Sequence, residues 1–218
     1  MLLMTRQIRR SPGEAFTFVE MIVIIACIAI LAAFLLPAIA RNKAHTARVN
    51  CVNNLKQIGL ASKTWSPDQS ADFPMRRETT YGGTLGLPNS ELIWRTFQII
   101  SNELMTPKIL VCPEDTRVPP ANFNREFSNM NISYFLGLDS ADETPEMFLS
   151  GDRNLTNGTP LQGGVLVITS NRPAGWTQAM HRGQGNILYA DGSVQQNSSS
   201  RLGMMISRSG DTNRLAMP

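Results

Sequence analysis

Residues 16–40 form one apolar run, interrupted by a single carboxylate, Glu20, and by the thiol of Cys27. At ~1.5 Å rise per residue a helix of that length reaches roughly 37 Å. That exceeds the ~30 Å hydrocarbon core of a bilayer and predicts a membrane-spanning helix with room for tilt. Beyond Pro37 the pattern changes. Ala44, Ala47, Cys51, Leu55, Ile58, Ala61 and Trp65 recur at steps of three and four, one apolar stripe on a helix. Arg41, Lys43, Arg48, Lys56 and Lys63 fall mostly off that stripe. The helix is therefore expected to continue to about Trp65 and to end at Ser66-Pro67-Asp68. Pro37 has no N–H to bond the carbonyl of Ala33, so a kink is expected there.

The rest of the chain alternates short apolar runs with Gly, Pro and Asn clusters. Strands are predicted near 108–112, 132–136, 164–169, 186–190 and 193–196. Helices are predicted over 90–104 and Ser198–Ser207, and loops over 67–90 and 113–131. Asp191-Gly192, between two β-like runs, reads as a two-residue hairpin turn, because glycine takes φ > 0 without penalty. The outcome is an α+β fold, with a long N-terminal helix whose second half lies on a small antiparallel sheet.

Composition adds little. The formal charge of +3 comes from 20 basic and 17 acidic residues, and the first fifteen residues supply Arg6, Arg9, Arg10 and Glu14. Subtracting them leaves 17 basic against 16 acidic, a net of +1, which is no footprint for nucleic acid. Between Met21 and Pro67 five basic residues stand without an acid. They read as a solvated helix face or as a juxtamembrane segment attracted to lipid phosphate.

The basic leader followed by an apolar run has the outline of an export signal, but the run is longer than a ~7–15-residue signal core. The small-residue site, Gly13-Glu14-Ala15, precedes the run and does not follow it. Cleavage after Ala15 would keep the membrane helix and leave the amine of Phe16 as the new terminus, four residues before Glu20. A carboxylate in lipid costs about 2.5–3.5 kcal/mol on insertion scales. Two arrangements offset that cost. Glu20 of one chain can face the terminal amine of a neighbour, which also fixes axial register. Alternatively Glu20 snorkels to the interface at the positive end of its own helix.

Ala15-Phe16-Thr17-Phe18-Val19-Glu20 followed by MIVIIACIAILAAFLLPAIA resembles the prepilin signature of type IV pilins and type II secretion pseudopilins, with Ala15 where glycine is usual. The resemblance implies a pilin-like fold. It further implies cleavage between Ala15 and Phe16 by a prepilin peptidase, N-methylation of Phe16, a role for Glu20 in assembly and a helix interruption at Pro37. CVNNLKQIGLA (51–61), VCPED (111–115), ISYFLGLD (132–139), LSGDRN (149–154) and HRGQGNILYADGSV (181–194) are similar to a bacterial group of pilin-like proteins. That group carries a histidine, nine residues, then Asp-Gly, here His181 and Asp191-Gly192.

The expected organisation is a leader (1–15), a transmembrane and assembly helix (16–40), its amphipathic continuation (41–66) and a periplasmic β-rich domain (67–218). The resemblance implies a single-pass protein of the bacterial inner membrane with a cytoplasmic N-terminus. Its partners would be the peptidase/methylase, other pilin-like subunits and inner-membrane lipid, and no nucleic acid. Two other function classes compete: a membrane-tethered periplasmic module that binds a polymer or carbohydrate, and a signal-anchored hydrolase.

Chemistry-bearing residues are sparse. In an oxidising compartment Cys51 and Cys112 are a candidate disulfide. Neither His45 nor His181 belongs to a short-spaced ligand pair, so no zinc site is expected. No G-x-S-x-G element supports a hydrolytic triad, so no catalytic residue and no cofactor is assigned. Asp115, Asp139, Asp142, Glu143 and Asp152 are carboxylates suited to calcium, but they lack EF-hand alternation and read as loop carboxylates. Asp191 is expected to serve the turn, and His181 to pin the loop that enters the hairpin.

Overall fold

The computed structural model describes residues 16–65, 73–124, 126–206 and 212–218, without the side chains of 36–38 and 40–44. The leader with Ala15, the segment Ser66-Pro67-Asp68 and the side chain of Pro37 therefore lie outside the described residues. The chain divides into two compact units, Met1–Lys43 and Ala44–Pro218. The second unit thus begins well before residue 67, the expected start of the domain, because the amphipathic stripe belongs to the domain's core.

Helix α1 is Phe18–Thr64. Within the first unit its window Phe18–Leu35 has a mean hydropathy of 2.9 and no residue buried by protein, which suits a membrane anchor or a signal sequence. Within the second unit Cys51, Leu55, Ile58 and Ala61 point inward and are buried. Helix α2 is Asn89–Ile99 and helix α3 is Ser101–Leu104. The expected helix over 90–104 is thus broken at Ile100, whose ψ of 20° leaves the helical range.

Among the described residues eight strands follow: β1 Tyr134–Gly137, β2 Phe148–Asp152, β3 Leu155–Thr156, β4 Val165–Thr169, β5 Gly175–Trp176, β6 Gln184–Tyr189, β7 Val194–Ser198 and β8 Thr212–Ala216. Helix α4, Ser199–Ile206, lies between β7 and β8. Six strands make one antiparallel sheet in the order β4-β8-β1-β2-β6-β7, and β3 with β5 forms a separate ribbon. The architecture is α+β.

Both faces of the sheet are covered, and period-2 alternation sorts the side chains between them. Tyr134, Leu136, Leu149, Leu188 and Ala190 join Leu55, Ile58, Ile93 and Phe97 in one core. Phe135, Phe148, Ile187 and Tyr189 join Leu166, Ile168, Trp176, Leu202 and Leu215 in the other. A Cβ on Gly59 would stand 2.9 Å from Leu188 Cδ1, so this glycine lets the helix approach the sheet closely. Gly137 is more constrained, since a Cβ there would overlap the carbonyl oxygen of Phe148, where the β2–β6 register shifts. Gly137→Ala is expected to lower stability by about 3 kcal/mol. A urea midpoint that falls while the slope stays constant would check this.

The expected strand at 108–112 is not one. Pro107–Leu110 is a 3-10 turn, with Pro107 at its first position and Thr106 Oγ1 accepting from the Lys108 N–H at 3.4 Å. The hairpin also differs from the expected two-residue loop. Leu188 pairs Val194, and the Tyr189 N–H donates to Ser193 O at 2.9 Å. That leaves Ala190, Asp191 and Gly192 as a three-residue loop. Gly192 N–H closes it onto Tyr189 O at 2.9 Å, and Gly192 takes the left-handed φ of 89°.

Edge strand β4 is closed by its own neighbours. Val165 and Gln162 exchange two backbone hydrogen bonds, as do Thr169 and Arg172. Asn157 Nδ2 donates to Val167 O at 2.9 Å.

Candidate functional site

His181 lies in the loop that joins β5 to β6, three residues before β6 begins. His181, Arg182 and Gly183 carry φ of 51°, 53° and 76°, three left-handed residues in succession. The two non-glycine residues cost roughly 1–2 kcal/mol each. Side chains from elsewhere hold the loop in place. Arg48 of α1 donates from Nη2 to His181 O at 2.9 Å and from Nη1 to Gln184 Oε1 at 2.6 Å. Asn154 Nδ2 lies within hydrogen-bond reach of Thr177 O, Met180 O and Gln184 O at 3.0–3.1 Å.

The His181 ring is buried among four groups. Asp152, the last residue of β2, places Oδ2 3.3 Å from Nε2. Cys112 Sγ lies 3.3 Å from the same nitrogen. Asn186 Nδ2 lies 3.5 Å from it. Glu114 Oε2 lies 3.1 Å from Nδ1, although that contact is not aligned as a hydrogen bond, and accepts the His181 backbone N–H at 2.9 Å. A turn in which the Asp115 N–H donates to Cys112 O aims Glu114 at the ring. Cys112 is bonded to Cys51 of α1, with Cα atoms 5.3 Å apart.

Burial sets the protonation of this cluster. Loss of hydration pushes the Asp152 carboxyl up to about 7, against the Asn186 N–H and Nδ2 donors, each 2.8 Å from Oδ2. The same loss of hydration lowers the His181 imidazole, with the Glu114 charge opposing it. Asp152 thus holds a proton more readily than a carboxylate in water, and His181 less readily than a free imidazole.

Next to the cluster, burial would raise Asp115. Two 2.7 Å hydrogen bonds from Arg153, together with one from the Thr116 N–H, outweigh it and hold the carboxyl at about 2. A carboxyl depressed in the folded state contributes stability that is present above its unfolded value of about 4. That contribution is lost as pH falls through about 2. Thermal melts are therefore expected to drop between about pH 4 and pH 2. Arg153→Met should cost about 2–3 kcal/mol at neutral pH by leaving Asp115 without its charged partner.

His181 and Asp191 do not form one site. They bracket β6, whose six residues extend about 20 Å. Asp191 instead accepts the Ser193 N–H at 2.7 Å within the turn. Four of the five carboxylates considered for calcium have other neighbours. Asp115 binds Arg153, Asp139 binds Arg214, Asp142 lies 3.7 Å from Lys63, and Asp152 sits with His181. His45 is exposed.

Arg48, Glu114 and Asn186 complete the cluster and had no site role from the sequence, and Asp152 was considered there only as a calcium carboxylate. A signal was nevertheless present: Cys51, Cys112 with Glu114, Asp152 with Asn154, and His181 with Asn186 each come from a different one of the sequence blocks quoted above. Four separated blocks therefore converge on one buried ring. Comparisons with protein-family models, curated proteins and solved structures found no match for this chain.

Proposed function

We propose that this protein is a non-catalytic, pilin-like filament subunit. In this reading it is synthesised with a cytoplasmic leader and cut between Ala15 and Phe16 by a prepilin peptidase, which also methylates Phe16. It is held in a bacterial inner membrane by residues 16–40, with the domain in the periplasm. Subunits join through their N-terminal helices into a type IV pilus-like or type II secretion pseudopilus polymer.

One observation carries the proposal: an apolar helix that no other described residue buries begins beside a lone carboxylate, Glu20. Among the described residues nothing buries Phe18–Leu35, and in this reading lipid or other helices cover it. At its start Thr17 and Glu20 form a capping box. Glu20 Oε2 accepts from the Thr17 N–H at 2.8 Å and from Thr17 Oγ1 at 2.7 Å, and the Glu20 N–H donates to Thr17 Oγ1 at 3.3 Å. In the single chain the carboxylate is thus bonded within its own helix. A carboxylate has about four acceptor sites, so the box leaves capacity for the amine of a neighbouring chain.

N-terminal mass spectrometry of the membrane-fraction protein tests the scheme. The expected mature chain starts at N-methylated Phe16. An intact Met1, or a cut beyond Ala40, would contradict it.

A further inference from the structure

The His181 cluster has more donors than a hydrogen-bonded core requires. Cys51 Sγ, Cys112 Sγ and a His181 nitrogen all lie within 4.8 Å of one another. Asp152 Oδ2 lies 3.3 Å from Nε2, and Asp152 Oδ1 is buried with no hydrogen-bond partner. Zinc bond lengths of about 2.0–2.3 Å in a tetrahedron place neighbouring ligand atoms about 3.3–3.8 Å apart. The 3.3 Å separations from Nε2 to Cys112 Sγ and to Asp152 Oδ2 are already close to those edges. Breaking the disulfide lets the two sulfurs move from bonded to non-bonded contact.

We propose that, when Cys51 and Cys112 are thiols, this chain binds one soft divalent cation of the zinc type through Cys51 Sγ, Cys112 Sγ, His181 Nε2 and Asp152. Disulfide and metal are then alternative occupants of one site. The ligands come from α1, the segment after the 3-10 turn, the end of β2 and the entry to β6, so the fold itself brings them together. Two thiolates and an imidazole favour zinc or cobalt over calcium or magnesium. With four protein ligands, all buried, no position is open to substrate, and the site is structural. Glu114 stands 3.1 Å from Nδ1, and a small turn of its carboxylate would let it accept that nitrogen's proton and orient the ring so that Nε2 meets the metal. Arg48, bonded to the His181 carbonyl, offsets part of the ligands' negative charge.

In a chain whose cysteines have not been oxidised, the cation replaces two thiol protons, which pass to solvent. Starting from the disulfide, a phosphine reductant supplies two electrons and becomes its oxide with oxygen from water, leaving two thiols.

The test uses the full chain in detergent, reduced with a phosphine under anaerobic conditions and titrated with Co²⁺. One equivalent is expected to produce thiolate-to-cobalt charge-transfer absorption and the strong visible bands of tetrahedral cobalt, with zinc displacing it. The oxidised chain should show neither. Cys112→Ser should remove the charge-transfer absorption due to that sulfur. Asp152→Asn should weaken binding, and Glu114→Gln should weaken it about 10–100-fold with the cobalt spectrum retained. His45→Ala should change nothing.

If the reduced chain loses its fold, zinc should restore its circular dichroism, and failure to do so overturns the proposal. It is equally overturned if a folded, reduced chain shows no cobalt bands, if His181→Ala with both cysteines intact binds unchanged, or if the oxidised chain binds as well.

Discussion

Glu20→Ala is expected to leave the protein in the membrane and to remove it from filaments. Deleting a carboxylate from an apolar helix favours insertion by about 2.5–3.5 kcal/mol, so the membrane-bound amount should hold or rise. Assembly should respond in the opposite direction. A buried ion pair that loses one partner leaves the other charge uncompensated, at about 3–5 kcal/mol, which is a 100-fold loss of incorporation or more. Alanine also destroys the capping box with Thr17, so it cannot by itself separate the two roles of this carboxylate.

Glu20→Gln does separate them. Glutamine keeps an oxygen for Thr17 but carries no charge. Failure of both variants to appear in the sheared-filament fraction, with both present in the membrane fraction, fits pairing with a neighbour's terminal amine. Recovery with glutamine would assign Glu20 to helix capping alone and leave the ion pair without support. A tethered receptor, by contrast, should bind its target equally well with either substitution.

The second large effect concerns Cys51 and Cys112. Their bond closes a loop across a sequence separation of 61 residues. In the chain-entropy account such a loop is worth about 4 kcal/mol. It also joins the helix carrying Leu55 and Ile58 to the segment carrying Ile109 and Leu110, all in one buried cluster. The paired substitution Cys51→Ser with Cys112→Ser is expected to lower the melting temperature by about 8–16 °C for a chain of this size. Wild-type protein melted with a chelator and a reductant should fall by a similar amount. No change in either experiment would show that the bond does not restrain the unfolded chain.

The elements legible in the sequence were those whose side chains obey one period. The stripe through Cys51, Leu55, Ile58 and Ala61 identified the amphipathic half of α1, and VLVIT and NILY identified β4 and β6. Strand β2 escaped because Ser150, Gly151 and Asp152 look like a loop. They enter the sheet for reasons that depend on partners: Ser150 Oγ donates to Phe135 O at 2.7 Å, and Gly151 makes room for the Phe135 ring. The run at 108–112 looked like a strand because Ile109, Leu110 and Val111 are apolar, yet Pro107 and the Thr106 cap bend it into a turn. The His181 cluster was hidden for a related reason. Its members lie far apart in the chain, and only the sheet order that sets β2 beside β6 brings Asp152, Asn186 and His181 together.

The stitched margin of β4 bears on how such domains tolerate crowding. Around a polymer, many copies would sit shoulder to shoulder, and a bare strand would invite its neighbours to zip into runaway aggregates. With the polar atoms of Val165 and Thr169 already spent on Gln162 and Arg172, and the Val167 carbonyl on Asn157, that border is hemmed like a selvedge. The domains can be packed densely without fusing there, which leaves the choice of contacts to side chains.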